Sequence, residues 1–513
     1  MPLTDREGLT QRTLAGLLWT AWGRVAYVGA QVLVLAVLSR FLTPAEFGVV
    51  GAALVVIGLS GVFAQLGMGP ALVQRPELER RHFDAAAVLS FALGAALGAA
   101  VWLGAPLAAA FFKSAEVAPV LRALAVTFPL QALGLVHESL ARRELRFRWL
   151  ANVEVISYAV GFGLLGVALA TLGWGVWALV GAEIGKTALR TGLLLAGHPV
   201  RVGVGLERRA VRELLHFGGG FTLARVANYL AVQGDNLVVG RTLGPAALGL
   251  YGRAYQLMVA PAQNLGGVLD TVLFPVMAKV QHDPPRLALA YRRGVALLAF
   301  ATLPLSGALV VLAPELVRVL LGARWDGVVL PFQVLAAGLL FRTSYKLSDT
   351  LCRSTGAIYR RAWRQVLYAA LVIGGALVGG RWGITGVAVG VVAALVGNFL
   401  MMAQLSLSLS GLRWLDLWRA HLPALRLAAA TTPVAWATAE LARGAALPAA
   451  VTAAAALGVA IVLALALGTL APGSFAGDDV RWLADTVRAR LARRPRPAPS
   501  PALPPLPRAG GAP

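Results

Sequence analysis

Thr20, Arg24, Tyr27 and Gln31 follow one another at steps of four, three and four residues, so all four stand on one face of a helix. Arg225, Asn228 and Asp235 form a second such face, and Arg253, Gln256, Gln263 and Asp270 a third. Arg342 and Lys346 are one helical turn apart, and Glu154 and Glu183 add two further carboxylates. Every one of these residues sits in otherwise apolar sequence. A charge at the centre of a bilayer costs about 2.5–3.5 kcal/mol on insertion scales, so it must face protein or water. Arginine at that depth suits an anion, because its planar fork makes paired, charge-assisted bonds to phosphate. The pattern predicts a polar, net-cationic cavity holding Arg24, Tyr27, Gln31, Arg225, Asn228, Arg253, Gln256, Arg342 and Lys346. Asp235, Asp270, Glu154 and Glu183 are the groups that could carry a coupling proton or Na⁺, and the sequence does not choose among them. A second reading stays open: the cations snorkel to the interface or pair with Asp235, Asp270 or Glu154.

The elements that position these residues are transmembrane helices. The chain has 513 residues, 58% hydrophobic and 14% charged, with mean hydropathy +0.72. Soluble domains are about a quarter charged. Apolar runs long enough to cross a bilayer recur from end to end. The predicted spans are 14–39, 45–68, 84–112, 117–140, 150–171, 174–196, 213–240, 246–278, 288–312, 328–350, 363–379, 383–410, 422–441 and 446–471. The net charge of +22 is concentrated in alternate loops, for instance at Arg142, Arg143, Arg146 and Arg148, and again at Arg353, Arg360, Arg361 and Arg364. That alternation is the positive-inside pattern. It assigns the basic loops and both termini to the cytoplasm and argues against nucleic acid as the partner. Residues 478–494 read as a basic amphipathic helix at the inner face, and the Pro-rich residues after them cannot bury a core.

A phrase is repeated. RFLTPAEFG at 40–48 and RTLGPAALG at 241–249 match at an offset of 201, which also aligns Arg24 with Arg225. Glu138 to Arg142 resembles Asp349 to Arg353, and Trp174-Gly175 resembles Trp382-Gly383. The order is preserved, so spans one to six recur as seven to twelve in a parallel repeat. The expected organisation is an N-terminal half at 1–205, its repeat at 206–411, two extra spans at 412–471 and a tail at 472–513. The phrase itself is a tight hairpin turn: Thr43 can cap the next helix, Pro44 can start it, and Arg40 can reach head groups.

Other chemistry is poorly supplied. GAEIGKT at 181–187 has three residues between its glycines where a phosphate loop needs four, and no strand precedes it. The six histidines are scattered, no metal motif or catalytic triad is present, and the lone Cys352 has no partner for a disulfide. No cofactor or metal is expected. A multidrug exporter would favour an acidic cavity. A polymerase would need a large outer loop and a glycosyltransferase a nucleotide-sugar domain; these remain the alternatives.

The parallel six-plus-six repeat, the RFLTPAEFG turn, the AQLGMGPALVQ segment at 64–74 and the two additional spans resemble the Wzx-like polysaccharide flippases of the multidrug/oligosaccharidyl-lipid/polysaccharide exporter superfamily. The resemblance covers roughly residues 10–471. It implies an all-α carrier, not an enzyme, that moves an undecaprenyl-diphosphate-linked oligosaccharide across the bacterial inner membrane by alternating access. It also implies membrane lipids, and other polysaccharide assembly proteins, as partners. By the same resemblance Arg24, Arg225 and Arg253 are the cations expected to face the diphosphate, although no strict motif fixes them. An inside-negative potential would aid expulsion by about 2.3 kcal/mol per uncompensated charge per 100 mV.

Overall fold

The computed structural model describes residues 26–64, 69, 72–73, 79–197, 203, 205 and 222–492. These residues are helical almost throughout, with no strand among them. In chain order the helices are α1 Ala26–Phe41, α2 Pro44–Ala64, α3 Arg80–Phe112, α4 Val117–Leu124 and α5 Thr127–Arg143. Then come α6 Phe147–Thr171, α7 Val176–Gly197, α8 Thr222–Thr242, α9 Pro245–Lys279, α10 Pro284–Val311 and α11 Ala313–Leu320. The last are α12 Val329–Ala337, α13 Leu339–Ser354, α14 Ile358–Gly379, α15 Gly383–Ser410, α16 Trp414–Gly444, α17 Ala449–Leu470 and α18 Gly477–Ala492.

Helix occupies the described part of all fourteen predicted intervals. By length and apolarity alone, eight runs among the described residues qualify to cross a membrane, or nine with a bent pair counted once. Part of the difference from fourteen has identifiable causes. The run Ile358–Ser410 holds both α14 and α15. Only 16 residues of α1 are described, and α7 carries Glu183, Lys186 and Arg190. Predicted span ten is the bent pair: α12 and α13 meet at 44°. The chain is a multi-pass helical membrane protein.

The repeated phrase shows how sequence becomes contact. Thr43 and Glu46 form a reciprocal cap: the Glu46 carboxylate accepts from the Thr43 backbone N–H at 2.6 Å, and Thr43 Oγ1 accepts from the Glu46 N–H. In the second copy Gly244 adopts φ +86 immediately before Pro245, a conformation that glycine tolerates best. The two helix starts then meet each other. A Cβ placed on Gly48 would lie 1.7 Å from the Pro245 carbonyl oxygen, and one on Gly249 would lie 1.8 Å from the Pro44 oxygen. Arg40 and Arg241 do not reach for head groups as the sequence suggested. Arg40 donates to the Val319 carbonyl at 2.8 Å, and Arg241 donates to the Phe111 carbonyl at 2.7 Å. Both acceptors are unpaired carbonyls at helix C-termini, where a cation is doubly favourable.

These contacts form a seam between residues 39–111 and residues 241–325, at the end away from the arginine-rich loops. Trp325, fully buried, donates from Nε1 to the Ser39 carbonyl at 3.0 Å and meets the Phe47 ring edge to face at 5.3 Å. Leu38, Leu42, Leu248 and Tyr251 pack into the same continuous apolar core. Further in, Tyr229 donates to the Val55 carbonyl at 2.7 Å, with its ring over Gly58. At the opposite end, α18 docks on α10: Asp479 accepts from Arg292 at 3.1 Å, and Arg293 stacks on the Trp482 ring at 3.8 Å.

Candidate functional site

Behind the seam lies a cleft in which Gln31 lines three adjoining chambers. One, of about 590 Å³, lies among α1, α5, α6, α7 and α9 and includes Tyr27, Glu154, Arg190 and Gln263 in its wall. A second, of about 380 Å³, lies among α1, α2, α8 and α9. The smallest, of about 210 Å³, joins Tyr27, Tyr158 and Phe162 to Arg253 and Gln256. The aromatic wall comes from α1 and α6. Tyr27 meets Tyr158 edge to face at 5.0 Å, and Tyr158 stacks on Phe162 at 5.1 Å. Residues Ser157–Leu164 of α6 are wound as a π-helix, a widening that recurs at functional sites because it re-aims side chains.

Arg253 is the ninth residue of α9, roughly 12 Å from its start at 1.5 Å per residue. Its Nη1 donates to Gln256 at 2.6 Å, its guanidinium lies 4.7 Å over the Phe47 ring, and its Nε is buried without a hydrogen-bond partner. Among the described residues no carboxylate pairs with it. The remaining cleft cations are compensated. Arg190 is clasped by Glu138 at 2.9 Å and Glu154 at 3.0 Å; Arg142 binds Glu138 at 2.7 Å; Lys186 binds Glu183 at 2.7 Å. The lining therefore holds four basic groups, Arg142, Lys186, Arg190 and Arg253, against three acidic ones, Glu138, Glu154 and Glu183. Among the described residues one uncompensated cation remains, Arg253.

The predicted site residues divide accordingly. Tyr27, Gln31, Arg253 and Gln256 line the cleft, as does Glu154; Glu183 lines it beside Lys186. Arg24 lies outside the described residues. Arg225 is half-buried in the first described turn of α8 and lines none of the three chambers. Asn228 turns to α14, where its carbonyl oxygen accepts from Gln365 at 3.3 Å.

Arg342 lies apart from the cleft, 5% exposed, donating to the Tyr368 hydroxyl at 3.3 Å with Tyr255 and Tyr345 around it. Helical spacing could give its depth but not the direction it faces. Lys346 lays its stem against Gly266 of α9. Asp235 is 1% exposed and accepts from the Tyr251 hydroxyl at 2.7 Å. Asp270 accepts from Arg353 and Thr350. Of the pairings left open by the sequence, the one formed at Glu154 uses Arg190, a residue the face analysis passed over. The spacing Glu183, Lys186, Arg190 on α7 was the available signal.

Residues 37–330 match the family described as "Polysaccharide biosynthesis protein". The chain is 26% identical over 380 residues to the lipopolysaccharide biosynthesis protein WzxC of Escherichia coli K12, covering 72% of this chain and 77% of that one. It is 24% identical to the teichuronic acid biosynthesis protein TuaB of Bacillus subtilis 168, covering 78% and 85%. It is 31% identical to the succinoglycan biosynthesis transport protein ExoT of Rhizobium meliloti, covering 60% and 62%. Among solved structures, the lipid II flippase MurJ in an inward closed conformation superposes with TM-score 0.70 at 14% identity, over 89% of this chain and 99% of that one. An inward-facing multidrug transporter of the MATE family gives TM-score 0.60 at 17% identity, over 76% and 96%. These likenesses establish the fold.

Proposed function

Because the chain belongs to the polysaccharide biosynthesis protein family, we infer that it is a flippase. It moves a lipid-diphosphate-linked oligosaccharide across the bacterial inner membrane for surface polysaccharide assembly. The observation that carries this reading is Arg253: a cation deep in a cleft between halves, with no carboxylate partner among the described residues. An uncompensated guanidinium in a low-dielectric cavity favours a mobile anion, and diphosphate matches its fork. The polar chamber suits the sugar, while the isoprenoid tail stays in surrounding lipid.

Residues 1–205 and 206–411 act as two lobes that rock about the cleft, with 412–471 and the tail at 472–513 appended. The arginine-rich loops and both termini face the cytoplasm, so the sealed seam is periplasmic and the cleft is in its inward-facing state. Fourteen helices cross the membrane. The protein is a carrier and not an enzyme, and its partners are the lipid-linked oligosaccharide, membrane lipids and neighbouring assembly proteins.

The test is genetic rescue. Cells lacking the protein should lose surface polysaccharide and retain lipid-linked units on the inner leaflet. The wild type should restore export and Arg253→Ala should not, at equal membrane abundance. Full rescue by Arg253→Ala would reject Arg253 as the anion site.

A further inference from the structure

Arg190 is the most heavily compensated cation in the cleft, and its two carboxylates are not equivalent. The Glu138 side chain is 19% exposed and also holds Arg142, whereas Glu154 is 47% exposed and holds Arg190 alone. Arg190 is itself 28% exposed, and it lines both the main chamber and a polar pocket of about 350 Å³ inside the first half. It lies seven residues from the basic-loop end of α7, roughly 10 Å by helical rise. Arg253 lies nearer the seam. Tyr27 borders both the chamber containing Arg190 and the chamber containing Arg253.

We propose that Arg190 is an exchangeable anion site, a first station where an incoming lipid diphosphate displaces Glu154 before reaching Arg253. The inference rests on the flippase reading above. Glu138, the more buried carboxylate, stays and keeps the guanidinium oriented. Glu154 swings into the water of the cleft, where its charge is solvated at small cost because the pair is already half exposed. The displaced carboxylate stays in the cleft, so the diphosphate adds its own negative charge there, which the unpaired Arg253 partly offsets. The fork of Arg190 can hold Glu138 on one edge and a phosphate oxygen on the other. Glu183 and Lys186, one to two turns away on α7, remain paired to each other throughout.

The sign of one substitution separates this arrangement from a structural ion pair. Purified protein in nanodiscs is titrated with undecaprenyl diphosphate, with undecaprenyl monophosphate and inorganic pyrophosphate as further arms. Glu154→Gln removes the competing anion, so affinity for the lipid diphosphate should rise roughly two- to fivefold, the scale of one partly exposed ion pair. Arg190→Gln should lose a similar factor, and Arg190→Lys should retain part of it. Arg253→Gln should weaken binding independently. Unchanged or weaker binding in Glu154→Gln would overturn the exchange, while leaving the flippase reading intact if Arg253→Gln still weakens it. Equal gains for inorganic pyrophosphate and the lipid would support exchange at a general anion site, and a gain confined to the lipid would support one specific to the carrier. A wild-type protein that binds no diphosphate would overturn both readings.

Discussion

Arg40 and Arg241, 201 residues apart, make the same bond in opposite directions across one seam. Arg40 of the first half caps the helix ending near Val319 in the second; Arg241 of the second caps the helix ending near Phe111 in the first. Gly48 and Gly249 repeat the reciprocity at the backbone, each set against a carbonyl from the opposing phrase. A duplicated sequence has become a two-fold seal. Replacing both arginines with alanine should remove two exposed charge-assisted bonds, each worth about 1 kcal/mol after solvent screening. The expected outcome is greater labelling, from the sealed side, of a cysteine introduced at Gln31. Labelling equal to the wild type would show that the arginines do not hold the seam.

Gly48→Ala tests the seal sterically. The added methyl would sit 1.7 Å from the Pro245 oxygen, so the helix starts must separate. Overpacking of this kind costs about 1–3 kcal/mol, and here the cost falls on the closed state alone. Distances between spin labels on the tips of α2 and α9 should lengthen and broaden. An unchanged distribution would mean that the backbones slide without parting.

Trp325 anchors the same region through burial and one hydrogen bond. Trp325→Ala should lower stability by about 3–5 kcal/mol. Trp325→Phe keeps most of the apolar contact with Phe47 and should cost about 1 kcal/mol for the lost donor plus a remainder for volume. Thermal unfolding in detergent, with both variants compared, separates the two contributions.

Glu315 lies on the short helix α11, outside the spans, and takes both prongs of Arg443 at 2.8 and 2.9 Å. Burial alone would raise its pKa, but the Arg443 hydrogen bonds outweigh that and hold the carboxyl below its ordinary range. A carboxylate whose folded pKa is depressed stabilises the fold above its unfolded pKa of about 4.3. That stabilisation disappears as pH falls through the lower folded value. The wild type should lose an increment of thermal stability on descending from about pH 5 to about pH 3 that Glu315→Gln does not lose. Parallel profiles would remove Glu315 from the account.

Asp479 tethers α18 by accepting from Arg292 while Arg293 covers Trp482. Asp479→Ala should weaken docking by about 1 kcal/mol and speed tryptic cleavage at Arg481 and Arg488. Cleavage at the wild-type rate would place the docking energy in Trp482 instead.

The sequence made depth legible and left direction obscure. Apolar length located helix in all fourteen intervals, and the offset between Arg40 and Arg241 exposed the repeat before any contact was known. Periodicity also brought Tyr27, Gln31, Arg253 and Gln256 to one cleft. It could not separate Arg253 from Arg342: both are arginines deep in polar-faced helices, but Arg342 turns into a tyrosine cage within its own half. Nor could it show that the cleft is nearly neutral, because Glu138 and Arg190 meet from helices 52 residues apart in sequence. The segment at 64–74 that supported the resemblance lies largely outside the described residues.

The most direct measurement of the central claim is translocation in proteoliposomes, following fluorescent undecaprenyl-diphosphate monosaccharide from one leaflet to the other by its protection from a membrane-impermeant quencher. The wild type should show protein-dependent movement, with Arg253→Gln reduced at least about tenfold, on the scale of losing one charge-assisted pair. Movement by Arg253→Gln at the wild-type rate, in vesicles holding equal amounts of folded protein, would contradict it.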